Sequence, residues 1–228
     1  TPLKDDNYMN GVSTFDLVLI SKHIIGFTPL NSPYKMIAAD INKSNSVTSF
    51  DIIELRKLIL GIYTEFPQNT SWRFIDKDFV FTQMDNPFSS VPFAENISVQ
   101  AAQTTYTDLD FIGIKIGDVN NSVIANAQDL PVDERDSHEP VLFDVSDRSL
   151  NRGDVAEVTF SSSAQLAGYQ FTLLFEGLEL LAIEPGPGQS ADHFGVFGQA
   201  VTVSDENGNA QFTLKFKATR SGWLRDMV

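Results

Sequence analysis

Twelve residues, Asp40-Ile41-Asn42-Lys43-Ser44-Asn45-Ser46-Val47-Thr48-Ser49-Phe50-Asp51, begin and end on a carboxylate and carry oxygen side chains at alternate positions. A hard divalent cation such as calcium takes six to eight oxygens at about 2.3 to 2.6 Å. Alternate residues of a curled loop turn inward together, and a last carboxylate reaches back from the first helical turn. Counted as a calcium loop, Asp40, Asn42, Ser44, Thr48 and Asp51 fall at positions 1, 3, 5, 9 and 12, and Ser46 offers its backbone carbonyl at position 7. Asn45 stands where the sharp turn usually takes Gly, and Asn is among the few residues that tolerate the left-handed region. With only two carboxylates, the loop predicts weak affinity, on the order of 10⁻⁴ to 10⁻³ M or somewhat tighter. The competing reading is an Asx-rich turn that caps a helix and holds no metal.

The loop belongs to a repeat. Residues 12–26, VSTFDLVLISKHIIG, overlie residues 47–61, VTSFDIIELRKLILG, at an offset of 35. Each copy has a polar opening, apolar positions at helical spacing (Leu17, Ile20, Ile24; Ile52, Leu55, Ile59) and a closing glycine that suits the left-handed position after a helix. Two short helices are expected. The matching first loop runs from Asp5 to Asp16 and keeps Asp5, Asn7 and Asp16, with Gly11 at position 7. Met9 at position 5 is a thioether that does not serve a hard cation. A carbonyl or water must substitute there, or the loop is an empty turn.

Loop, helix and glycine, then a linker and a second loop and helix, resemble the duplicated segment of a bacterial dockerin over about residues 5–62. The resemblance implies Ca2+ as cofactor, with Asp40, Asn42, Ser44, Ser46 and Asp51 as ligands in the second loop and Asp5, Asn7, Gly11 and Asp16 in the first. It further implies a protein partner, a cohesin-like sandwich in cis or in trans, met by Thr14, Phe15, Lys22, Ser49, Phe50 and Lys57. Phe15 and Phe50 depart from the hydroxyl-bearing pairs of many dockerins, which leaves partner specificity open, and each also suits a packing role at a helix start.

The 228 residues carry 16 basic against 30 acidic side chains, a net charge of -14. That sign opposes phosphate backbones and anionic membranes and suits divalent cations or a basic partner. No cysteine and three histidines exclude thiol chemistry, disulfides and His-rich metal centres. No apolar run approaches the roughly 18 residues of a membrane span. The opening on Thr1 and the abrupt stop after Gly222 predict a processed product or a piece of something longer.

After the repeat, residues 72–81 and 110–118 read as strand or extended structure, within an enlarged dockerin-like domain over 1–125. Gly117-Asp118-Val119-Asn120-Asn121-Ser122 resembles the start of another such loop, but no helical pattern follows, so a polar turn is expected. Asp76 and Asp78 suit a solvated turn better than a metal. Residues 126–140 form an acidic linker. Over 141–228 the period becomes two, with strands at 141–143, 155–160, 169–175, 178–183, 200–204 and 211–216 and a hairpin signal at Asn207-Gly208. Residues 151–154, 166–173 and 180–186 are similar to a cohesin, a resemblance that implies a sandwich cut short in this chain; a generic immunoglobulin-like sandwich is the alternative.

The expected fold class is multidomain, a small α-rich dockerin-like domain with added strands and then an all-β sandwich. No Gly-x-Ser-x-Gly elbow, phosphate loop or His-Glu-x-x-His occurs, and Ser190, Asp192 and His193 lie too close in sequence to suggest a triad. The expectation is a non-enzymatic assembly or adhesion module, extracellular or at the cell surface, with possible self-association. The alternatives are an ancillary region of a large adhesin or secreted polysaccharide-active enzyme, and a carbohydrate-binding sandwich using Tyr169 or Trp223.

Overall fold

Thr14–Ile24 (α1) and Ser49–Ile59 (α3) are helices that turn Leu17, Ile20, Ile52 and Leu55 into one core. The chain leaves them at Gly26 and Gly61, with φ of 75° and 78°, a left-handed geometry that glycine adopts without steric cost. A computed structural model describes residues 2–89, 93–98, 109–125, 142–208 and 210–228. The acidic linker expected over 126–140 and Val141, the start of the first expected strand of the sandwich, lie outside the described residues. Among the described residues the structure is mainly β-sheet with three short α-helices. It divides into two compact units, Thr1–Ile59 with Tyr63–Ala125, and Leu60–Ile62 with Asn126–Val228.

In the first unit a third helix, Pro33–Ala39 (α2), precedes the second loop. Pro33 opens it where a missing N–H costs nothing. Trp72–Asp76 (β1) pairs antiparallel with Phe111–Lys115 (β2), Phe74 opposite Gly113. The strand expected over 72–81 is therefore shorter. It ends at a turn in which the Asp76 Oδ1 accepts a hydrogen bond from the Asp78 N–H at 3.0 Å. Phe66, Ile75, Phe93, Ile114, Ile116 and Val119 join the helices in a single core, so residues 63–125 build the same domain as the repeat.

The second unit holds Ser149–Leu150 (β3), Val155–Ser161 (β4), Tyr169–Leu174 (β5), Leu178–Glu184 (β6), Phe194–Phe197 (β7), Ala200–Asp205 (β8), Gln211–Ala218 (β9) and Gly222–Trp223 (β10). Two antiparallel sheets, ordered β4-β9-β6 and β5-β8-β7, share one core, while β3 pairs with β10. Alternation places Ala156, Val158 and Phe160 of β4 and Phe212, Leu214 and Phe216 of β9 inside, facing Val201 and Val203 of β8. The hairpin expected at Asn207-Gly208 is not one, because β8 and β9 belong to different sheets. Both strands bury alternate residues in that core from opposite sides, so direct pairing would turn one apolar face outward. The tight hairpin joins β7 to β8 instead, through Gly198 at φ 59°.

Candidate metal centres

Asp40 caps α2 with its side chain fully buried. Its Oδ1 accepts the Ser44 N–H at 2.8 Å and its Oδ2 the Asn45 N–H at 3.0 Å, which curls the backbone around the carboxylate. The Asn42 Oδ1 accepts the Ser44 N–H at 3.0 Å, and the Ser44 hydroxyl lies 3.3 Å from the Ser46 carbonyl. Asp51, also fully buried, closes the ring: Oδ1 accepts the Asn42 N–H at 3.2 Å and Oδ2 the Thr48 N–H at 2.8 Å. Lys43 and Asn45 take φ of 58° and 62°, the left-handed turns that the curl requires. All five residues assigned from the sequence are brought together. Asn69, which the repeat gave no reason to choose, steadies the loop by donating its amide to the Asp40 and Ile41 carbonyls at 3.0 and 3.2 Å.

Asp16 occupies the place of Asp51 but serves a ring of different composition. Its Oδ1 accepts the Val119 and Asn120 N–H groups at 3.0 and 3.2 Å, across 103 and 104 residues of chain, and its Oδ2 accepts the Ser13 N–H at 2.9 Å. Asp118 in turn accepts the Ser122 N–H on Oδ1 at 3.1 Å and the Val123 N–H on Oδ2 at 2.9 Å. The Asn120 Oδ1 accepts the Ser122 N–H at 2.9 Å, and the Ser122 hydroxyl donates to the Gly11 carbonyl at 2.9 Å. Each of these bonds has its counterpart in the 40–51 loop, with Asp118, Asn120, Ser122, Gly11 and Asp16 standing for Asp40, Asn42, Ser44, Ser46 and Asp51. Asn121, at φ 61°, repeats the turn of Lys43. The polar turn at 117–122 is thus the first half of a loop whose second half is residues 11–16. In space, α1 supplies the helix that follows this loop.

Asp5 and Asn7 have a different place. The Asp5 Oδ1 accepts the Ser71 N–H at 2.7 Å and the Tyr8 hydroxyl at 2.6 Å. Burial pulls the Asp5 carboxyl up, but these hydrogen bonds outweigh it and hold the group below its ordinary range. Asn7 sits at φ 43° in a turn. The contiguous first loop is therefore replaced by the split one, and Met9 need not serve a cation. Lys115 is buried beside this region, donating to the Tyr8 and Ile116 carbonyls at 2.8 and 3.2 Å. Desolvation pulls its ammonium down to about 8 against the raising charges of Asp118, Asp6, Asp16 and Asp5.

The donor chemistry of both rings is that of a hard cation: two carboxylates, an amide oxygen, a hydroxyl and a carbonyl. Among the described residues no group of three or more His, Cys, Asp or Glu forms a metal cluster. Neither ring depends on one, since three of its five oxygens are neutral. Burial raises the Asp40 and Asp51 carboxyls, the Asp51 charge adding to the rise at Asp40. Burial, with the charge of Asp118, pushes Asp16 up to about 6. Paired buried carboxylates hold their charge at a cost that a divalent cation removes.

At the face assigned to a partner, Phe15 is 50% and Phe50 68% exposed, so neither is a core residue. Ser49 is exposed and Lys22 half-buried; Lys57 is bound to Glu54 and the Tyr63 hydroxyl at 3.0 and 3.2 Å. Thr14 is buried and turns away from that face, because helix periodicity sends it inward when Phe15 points out. Ile25 and Phe27, exposed after α1, were not anticipated from the helical pattern, which ends before them. In the second unit Ser190 and His193 meet as the cap of a short turn, with the Ser190 N–H on Nδ1 at 3.0 Å. Tyr169 is held by Gln189 at 2.7 Å, and Trp223 has the Arg225 guanidinium 5.1 Å from its ring centre. No helix among the described residues is long and apolar enough to cross a membrane. No family model, no curated protein and no solved structure matches this chain.

Proposed function

We propose that this chain is a non-catalytic, calcium-stabilised protein–protein assembly module of a secreted or cell-surface bacterial protein, a dockerin-like unit followed by a cohesin-like sandwich. The observation that supports it is the bond-for-bond correspondence between the contiguous 40–51 loop and the ring built from 118–122 with 11–16. A turn that only caps a helix has no reason to repeat five oxygen positions with a chain break in a different place. In this reading calcium binds the folded state alone and stabilises it by mass action, ordering α1 and α3 so that Phe15 and Phe50 face a partner.

The test is a thermal melt in excess calcium and again in excess chelator. Calcium is expected to raise the melting temperature, and Asp40→Ala with Asp51→Ala to remove most of the rise. Equal melting temperatures in the two conditions would leave both rings as helix caps. Light scattering on the intact chain, with and without calcium, reads association with a second copy.

A further inference from the structure

We propose that calcium in the split ring works as a clasp, switching the first unit between a closed form and one in which residues 120–124 leave the start of α1; this rests on the calcium reading above. Residues 117–124 contain no helix or strand of their own, and β2 ends at Lys115. Ile116 and Val119 are buried in the core, and the Ile116 and Gly117 N–H groups bond to the Ser71 and Ala38 carbonyls, so this part stays anchored; beyond it the place of residues 120–124 against the start of α1 depends on polar bonds to a few groups. Asp16 takes the Val119 and Asn120 N–H groups, Gly11 takes the Ser122 hydroxyl, and the Asn10 amide exchanges bonds with Ile124 at 2.8 and 3.3 Å.

The two segments touch very closely. A Cβ on Gly11 would lie 2.7 Å from the Val123 Cα, so only glycine admits this approach. At the centre of the contact stand two carboxylates, Asp16 fully buried and Asp118 4% exposed. Without a cation their repulsion opposes closure, and a divalent ion between them turns the same charges into attraction across the join. The 40–51 ring has the same charges but spans one short piece of chain anchored by α2 and α3, so emptying it frees only a local loop. Occupancy of the split ring is the one that decides whether distant segments stay joined.

Amide hydrogen exchange of the intact chain, read by peptide in calcium and in chelator, tests this. At free calcium about 100 times Kd, opening is suppressed about 100-fold. Residues 10–16 and 120–124 are expected to slow together by a factor of that order, and 40–51 separately. In Asp118→Asn, which removes one charge and one of the two oxygens that accept the Ser122 and Val123 N–H groups, calcium protection of 10–16 and 120–124 should fall while that of 40–51 persists. Calcium slowing exchange at 40–51 alone would overturn the clasp and leave calcium at the contiguous loop. No calcium effect anywhere, with no heat of binding, would overturn the calcium reading itself.

Discussion

At Asp16 the chemistry of a single side chain sets a measurable sign. Burial, with Asp118 adding, pushes this carboxyl up to about 6, whereas an unfolded Asp titrates near 4. Without metal the folded chain therefore holds its proton to higher pH, and stability falls as pH rises from about 4 to about 6, by at most about 3 kcal/mol. In chelator, the melting temperature of wild type relative to Asp16→Asn should drop across that window, and saturating calcium should abolish the drop. A difference that stays constant from acid to neutral pH would show that Asp16 carries no such strain. Gly11→Ala meets two obstacles, a φ of 77° and the contact with Val123, and should cost about 1–3 kcal/mol in a chemical denaturation. The 40–51 ring was legible because its five oxygens lie within one stretch of chain. The split ring was not, since nothing local tells Asp16 that its partners are Val119 and Asn120; Asp5 offered the right residue type at the right spacing, and only folding shows it bound to Ser71.

Among the elements, α1 and α3 could be read from periodicity and their closing glycines. Pro33–Ala39 was missed because seven residues make fewer than two helical turns, too short for an apolar periodicity to show. Strand positions in the second unit followed from alternation. Pairing did not, because Asn207-Gly208 has hairpin chemistry and yet carries the chain from one sheet to the other. β9 is the central strand of its sheet, and Phe212 on it is 1% exposed. That ring stacks on Phe160 at 5.1 Å and meets Phe194 edge-on at 5.5 Å. Phe212→Ala should cost about 3–5 kcal/mol, the range for deleting a buried aromatic ring. Calorimetry should place that loss in a transition that calcium does not move; a loss in the calcium-sensitive transition instead would contradict the division into separate cores.

For the whole molecule, separate cores around Leu17, Ile20 and Leu55 and around Phe212, Leu214 and Phe216 predict two melting transitions. Calcium should raise one and leave the other in place, and a single transition shifted as a whole would show the units to be energetically one. Joining ends 103 residues apart rather than 9 adds about 2 kcal/mol of closure entropy, so the split ring should be the weaker of the two.

That separation also has a direction in time. A chain is made from its amino end at about 5–20 residues per second. The 40–51 ring is complete as soon as Asp51 emerges, while Asp16 waits for residues 118–122. Over that interval, roughly 5–20 s, one half of the proposed ion site exists without the other. The nascent first unit thus acquires its two rings in a fixed order, the contiguous one before the divided one, and the last oxygens to arrive finish the site begun by the first helix.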